Sequence, residues 1–176
     1  MYVSIAQESD LEPIAALVNS AFRGESSRAG WTTEADLVGG QRTDPESLRT
    51  DLASRPGAVL LTMRDEPDGT LLGSVWLEPK SADVWYLGML TIRPDLQARG
   101  LGRSMLDEAE RYAASRGARR MRMTVITVRE TLIEWYERRG YTRTGELLPF
   151  PYGIDRFGLP QRDDLQFEAL EKKLEP

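Results

Sequence analysis

The residues with the clearest chemical potential lie in one stretch, Leu90-Thr91-Ile92-Arg93-Pro94-Asp95-Leu96-Gln97-Ala98-Arg99-Gly100-Leu101-Gly102-Arg103-Ser104. Its aliphatic start reads as the end of a strand, a donor-rich turn follows Pro94, and the glycines open a helix. The first N–H groups of a helix have no intrahelical acceptor, and the helix dipole strengthens their pull on an anion. The lack of side chains on Gly100 and Gly102 would let a diphosphate approach those amides. Close strand-to-helix packing is the plainer reason for glycines at such a junction. The spacing is not a Walker A loop, since no Gly-Lys-Ser/Thr follows. Nor is it a dinucleotide fingerprint, since the third glycine is absent after Gly102.

The remaining inventory limits what chemistry is available. The 176 residues include no Cys and no His, which excludes a disulfide framework, a thiol nucleophile, an imidazole base and a Cys or His metal site. No metal is expected. Catalysis is left to carboxylates, Tyr, Lys, Ser/Thr, backbone amides or a bound cofactor. Lys and Arg number 23 against 28 Asp and Glu, a net charge of -5, and no aromatic platform lies in a basic groove, so nucleic acid is not the expected partner. Met1 to Ile5 lacks the blocks of a signal peptide, and no run approaches the roughly 20 apolar residues of a membrane span. A cytoplasmic protein without membrane association is expected.

The elements that must position the turn follow from periodicity and punctuation. A short strand at Val3 to Ala6 precedes a capping-box pattern, Ser9 to Glu12, and a helix with Leu11, Ile14, Leu17, Val18, Ala21 and Phe22 on one face. Asp44-Pro45 caps a second helix. Strands at Ala58 to Met63, Thr70 to Leu77 and Asp83 to Ile92 form a meander. A helix from Gly100 to Arg116, a strand from Arg120 to Ile126, and a helix opened by Thr127 to Glu130 and closed at Gly140 come next. Strand-like Tyr141 to Gly145 and Leu165 to Leu170 complete the chain. Arg23 to Gln41 and Leu147 to Arg162 read as loops. The order β-α-α-β-β-β-α-β-α-β-β fits one α/β (α+β) domain over residues 1–176, with helices on both faces of a mixed sheet.

Two motifs carry a resemblance. Gln97-Ala98-Arg99-Gly100-Leu101-Gly102 resembles the Q/R-x-x-G-x-G/A motif of the GNAT superfamily of acetyl-CoA-dependent N-acetyltransferases, and Leu90 to Pro94 is similar to the strand before it. Ile133-Glu134-Trp135-Tyr136-Glu137-Arg138-Arg139-Gly140-Tyr141 resembles the family's aromatic-Tyr-x-x-x-Gly-aromatic signature. The resemblance covers about Ala58 to Gly145 and implies a mostly antiparallel sheet of about seven strands with about four helices. It also implies acetyl-CoA as donor. The amides from Gln97 to Ser104 would hold the CoA diphosphate, with Arg99 and Arg103 adding charge. Leu90, Thr91 and Ile92 would lie along the pantetheine arm, Leu90 and Ile92 pairing with it like an added strand. The Leu90 amide would meet the acetyl carbonyl. One departure is Arg129, where the family commonly has Asn; it would reach a CoA phosphate or an acidic acceptor, or stand solvated in the first helical turn.

Acetyl transfer to an amine needs a neutral amine and a discharged thiolate. An alkyl ammonium of pKa about 10.4 is deprotonated about once in 2,500 at pH 7. Tyrosine, with a pKa near about 10, stays protonated and can donate to a leaving thiol. Tyr136 fits this role, and helical periodicity also fits it as a core residue. Candidate bases are Glu78, Tyr86, Glu34 and Asp36, beside a water relay with no side-chain signature. Tyr86 lies four residues before Leu90, on the same face of a regular strand, a parity that a bulge would break. Trp31 with Glu34 and Asp36 could make a pocket for a cationic amine. Arg23, Arg28 and Arg42 argue equally for an acceptor bearing a carboxylate. Tyr152, after Pro149-Phe150-Pro151, would fold over the acceptor mouth or bury area in a dimer contact. The reading is an N-acetyltransferase acting on a small-molecule or peptidyl amine, as a monomer or homodimer. The rivals are a CoA-binding sensor without turnover and an interaction domain on the same fold.

Overall fold

A computed structural model describes residues 1–175. In chain order the elements are β1 (Tyr2–Ile5), α1 (Leu11–Phe22), β2 (Val38–Gly39), α2 (Pro45–Ser54), β3 (Val59–Arg64), β4 (Leu71–Pro79), β5 (Val84–Ile92), α3 (Leu101–Ser115), β6 (Arg120–Ile126), α4 (Glu130–Glu137), β7 (Thr142–Pro149), β8 (Leu159–Pro160) and β9 (Gln166–Lys173). Seven strands form one sheet in the order β1-β3-β4-β5-β6-β9-β7. Every neighbouring pair is antiparallel except β5 with β6. The expected mixed, mostly antiparallel sheet with helices on both faces is therefore present.

Strand alternation builds the two layers. Leu60 and Trp76 face one side and pack with Ile14, Val18 and Phe22 of α1 and Leu48 of α2. Leu61, Val75 and Leu77 face the other and pack with Met105, Leu106 and Ala109 of α3 and Ile133 and Tyr136 of α4. The apolar stripe read along α1 is the stripe that is buried. Asp44 caps α2 as expected, its Oδ1 accepting from the Ser47 amide at 2.8 Å.

Local expectations fail in three places. Neither expected capping box forms: the Gln7 amide donates to Asp10 Oδ2 at 2.8 Å ahead of α1, and α4 begins after Arg129 without a side-chain cap. β7 runs to Pro149 rather than stopping at Gly145, because Gly145, at φ 83°, makes a bulge from which the strand resumes. The two segments read as loops meet in a small antiparallel ribbon, Val38 opposite Pro160 and Gly39 opposite Leu159.

A second bulge governs the site. Trp76 pairs with Gly88, but Ser74 pairs with Thr91, so β5 carries an extra residue, with Met89 at φ 48°. The bulge inverts the parity beyond it. Tyr86 and Met89 pack with the α1 layer, whereas Leu90 packs with the α3 layer, so the shared face expected for Tyr86 and Leu90 is lost. β5 also leaves β6 early. Their parallel pairing covers Val84 to Tyr86 against Arg120 to Arg122, after which β6 continues with β9 alone.

The approach to α2 is fastened from α1 by one side chain. Asn19 Oδ1 accepts from the amides of Arg42 and Thr43 at 2.6 and 3.2 Å, and its Nδ2 donates to the Thr43 carbonyl at 2.9 Å. Asn19→Ala leaves three backbone groups unpaired and should lower unfolding stability by about 2 kcal/mol in urea titrations.

Candidate active site

After β5 a short turn at Pro94–Leu96 leads into a left-handed curl, with Ala98 at φ 62° and Gly100 at φ 83°. The alanine pays about 1 kcal/mol for that conformation, while Gly100 adopts it freely. The curl brings the free amides of the first turn of α3 to an exposed surface. Ser104 lies outside this set, since its amide and hydroxyl both turn to the Gly100 carbonyl, at 3.1 and 3.3 Å. Arg99 is exposed at the lip, and Arg103 lies 3.9 Å from Asp107. Gln97 uses its side chain elsewhere. Its Oε1 accepts from the amides of Trp31 and Thr32 at 2.9 and 3.3 Å, and its Nε2 donates to Thr32 Oγ1 at 2.8 Å and the Ile92 carbonyl at 3.1 Å. The segment after α1 is thereby latched to the curl.

Arg139 lines the cavity beside the curl, a placement that residue type and spacing did not single out. Its guanidinium stacks 3.6 Å from the Trp135 ring centre, Nη1 donates to the Trp135 carbonyl at 2.7 Å, and Nε is buried without a partner among the described residues. Its four-residue offset from Trp135 in the second motif was the available signal.

Two cavities flank the parting of β5 and β6. The smaller, about 180 Å³, lies against the curl and is lined by Gln97, Gly100, Gly102, Arg103, Trp135 and Arg139, among others. The larger, about 510 Å³, is walled by the segment after α1, by β5 and β6, and by Leu148 to Pro151. Thr32, Leu90, Leu132 and Tyr136 line both. Tyr136 is buried against Trp135 and Tyr141, with ring centres 5.0 and 5.6 Å away. Burial pushes its phenol well above the ordinary tyrosine value, so the proton is held at neutral pH. No described protein group bonds its hydroxyl.

The expected acceptor residues fall in different places. Glu34 lines the larger cavity, where it accepts from Arg23 Nη1 and Arg129 Nη1, each at 2.8 Å. Burial raises its pKa, but the charges of Arg129 and Arg23 outweigh burial and hold the carboxyl below its usual range. Arg129 is no solvated arginine: its side chain is 9% exposed, and Nη2 donates to the Thr32 carbonyl at 2.6 Å. Trp31 lines the smaller cavity, its ring 6.1 Å from Trp135. Asp36 pairs with Arg28 at the surface. Tyr152 is tied within its own loop, its hydroxyl donating to the Arg162 carbonyl at 2.6 Å and accepting from the Leu165 amide at 2.8 Å.

Of the expected bases, Tyr86 lines the larger cavity, its hydroxyl 3.3 Å from Thr124 Oγ1. Glu78 is buried away from both cavities, taking bonds from Lys80 Nζ at 2.7 Å and from Arg55 Nη1 and Trp76 Nε1 at 3.2 Å. Burial pulls its carboxyl upward, but those donors prevail and keep it below the usual range.

The profile of the acetyltransferase (GNAT) family matches residues 19–141. The chain belongs to this family. A curated relative, a mycothiol acetyltransferase of Beutenbergia cavernae, is 33% identical over 85 residues, covering 48% of this GNAT chain and 29% of that protein. The chain spans less than half the length of the curated relatives it matches. Among solved structures it resembles a ribosomal-protein-alanine N-acetyltransferase from Brucella melitensis, at TM-score 0.70 and 19% identity, covering 99% of this chain and 100% of the other. It also resembles a GNAT family acetyltransferase from Elizabethkingia anophelis with acetyl-CoA bound, at TM-score 0.57 and 14% identity, covering 73% and 82% of the two chains. At these identities the likeness is one of GNAT fold. Among the described residues, no helix is long and apolar enough to cross a membrane.

The Glu34 carboxylate holds two guanidinium groups in a poorly solvated place, so Glu34→Gln should cost about 3 kcal/mol at pH 7. Its native pKa is depressed, so the stabilisation is present above the unfolded value of about 4.3 and is lost as pH falls through the lower native value. Urea unfolding of wild type and variant from pH 7 to pH 3 should show the gap closing at the acid end.

Proposed function

We propose that this chain transfers acetyl from acetyl-CoA to a primary amine of a small molecule or peptide. One observation carries the reading: Leu90 and Tyr136 belong to both cavities, so a donor at the curl and an acceptor in the larger space would meet beside the same amide and the same hydroxyl.

Several features of the chain fit a CoA thioester. Beyond Tyr86 the β6-facing edge of β5 has no strand beside it among the described residues, and unpaired backbone groups there suit an extended amide-bearing arm. The free amides from Leu101 to Arg103 suit a diphosphate. Arg139, with its unpartnered Nε, and the exposed Arg99 supply charge at the same end. Gln97 and Trp31 shape the wall of that cavity. Bound acetyl-CoA would supply an activated acyl group with a thiol as leaving group.

The chain's own residues then have distinct tasks. The Leu90 amide orients and polarises the acyl carbonyl. Tyr136 donates its phenolic proton to the sulfur as the carbon–sulfur bond breaks and the carbon–nitrogen bond forms, and regains a proton from water. The amine gives its proton to water in the larger cavity, since Glu34, the one carboxylate among the described lining residues, is committed to two arginines. Those arginines, with Arg42, also disfavour an ammonium in the cavity and so favour the reactive neutral amine. Glu34 and Arg129 act as positioning residues for the segment after α1.

Tyr136→Phe should leave acetyl-CoA binding intact and lower kcat by roughly a hundredfold or more; unchanged kcat in a thiol-release assay would remove Tyr136 from the mechanism. Without a committed base, kcat/KM should rise about tenfold per pH unit from about pH 6 to about pH 9, with no alkaline loss from the tyrosine below about pH 10. Acetyl-CoA at about 100 times its Kd should add roughly 2.7 kcal/mol of stability in thermal-shift titrations. ATP should shift the melting far less, and Arg139→Ala should weaken the acetyl-CoA response.

A further inference from the structure

Arg42 stands apart from the other arginines around the larger cavity. Arg23 and Arg129 are bound to Glu34, and Arg156 on the facing loop is bound to Asp51. Arg42 is half-buried and fixed through its main chain, which donates to Asn19 Oδ1 at 2.6 Å. Its guanidinium makes no hydrogen bond or ion pair with any described residue. The side chain lines both the larger cavity and a neighbouring space of about 160 Å³, where a ligand in the larger cavity can reach it.

The surroundings favour an anion at this position. Burial disfavours the Arg42 charge, with partial relief from Glu34 and further penalty from Arg23. A partly desolvated guanidinium with no ion pair among the described residues gains from an anion that meets it at the cavity wall, and its planar fork matches a carboxylate through two parallel N–H···O bonds. The rest of the wall is largely apolar, with Phe22, Met89, Leu148, Phe150 and Phe157 among the lining residues. The volume suits one small molecule.

We infer that the acceptor is a small amine bearing a carboxylate and an apolar body, an amino acid in chemical class, and that Arg42 is the residue that selects it by pairing with the carboxylate. This rests on the larger cavity being the acceptor site of an acetyltransferase.

The test uses phenylalanine, leucine and methionine beside their carboxamides and their decarboxylated amines, with acetyl-CoA and thiol release as the readout. Wild type should favour the acids by about tenfold or more in kcat/KM. Arg42→Gln should bring that ratio towards one, chiefly through KM for the acids, and Arg42→Lys should retain part of it. Equal use of acids and carboxamides by wild type, or a preference for the decarboxylated amines, overturns the inference, and needs no variant to be seen. A binding arm separates this inference from the transferase reading. In the presence of CoA, N-acetylphenylalanine and N-acetylleucine should stabilise wild type against heat more than their carboxamides do, and Arg42→Gln should abolish the difference. Acid-selective, Arg42-dependent stabilisation without turnover of any amine would uphold the anion site while removing the transferase. No shift from either acid at millimolar concentration would overturn the anion site whatever the turnover.

Discussion

The site depends on a parting of strands. β5 and β6 run side by side for three residue pairs and then separate, β6 remaining with β9 while β5 remains with β4. An internal sheet edge of this kind is expensive to leave bare, because each backbone N–H and C=O removed from a partner must find water or a ligand. The bulge at Met89 accompanies the parting and turns Leu90 towards the α3 layer. Both cavities open along this seam, so a single backbone irregularity places Leu90 where the two cavities adjoin.

Charge is organised around the same seam in two tiers. Beside the smaller cavity, the amides of the curl and the first turn of α3 lie with Arg103 and Arg139, a distribution suited to a polyanion. Around the larger cavity, Glu34 neutralises part of the charge of Arg23 and Arg129 and relieves Arg42 only in part, with no ion pair to Arg42 among the described residues. The two sides are mechanically linked. Gln97 from the curl and Arg129 from the start of α4 both grip Thr32, so the wall of the larger cavity is fastened to the wall of the smaller one. A change in either anchor should be felt on both sides.

Tyr136 illustrates why lining a cavity and packing a core need not compete. The residue is buried in the α3 layer, as its helical spacing requires, and its ring is held by aromatic neighbours. That burial is what raises the pKa of the phenol. The packing that holds the side chain in place also keeps its proton available.

The amino-acid sequence by itself determined the element order, the sheet-and-helix layering, and the stretch that would carry an anion cradle. These depend on period, punctuation and the chemistry of neighbouring residues, which act over a few positions. The junction from Leu90 to Arg103 and the placement of Tyr136 on the inner face of α4 were legible for that reason. The tertiary structure decided what depends on distant partners. The bulge in β5 is set by pairing with β4, and it reversed the face assigned to Tyr86. The fate of each charge followed from contacts across the chain: Arg129 meets Glu34 ninety-five positions away, Glu78 is taken up by Lys80 and Arg55, and Trp31 is drawn to the smaller cavity by Gln97. A charged side chain carries no local sign of which opposite charge folding will bring to it, so the division between committed and free groups appears only when the chain has closed on itself.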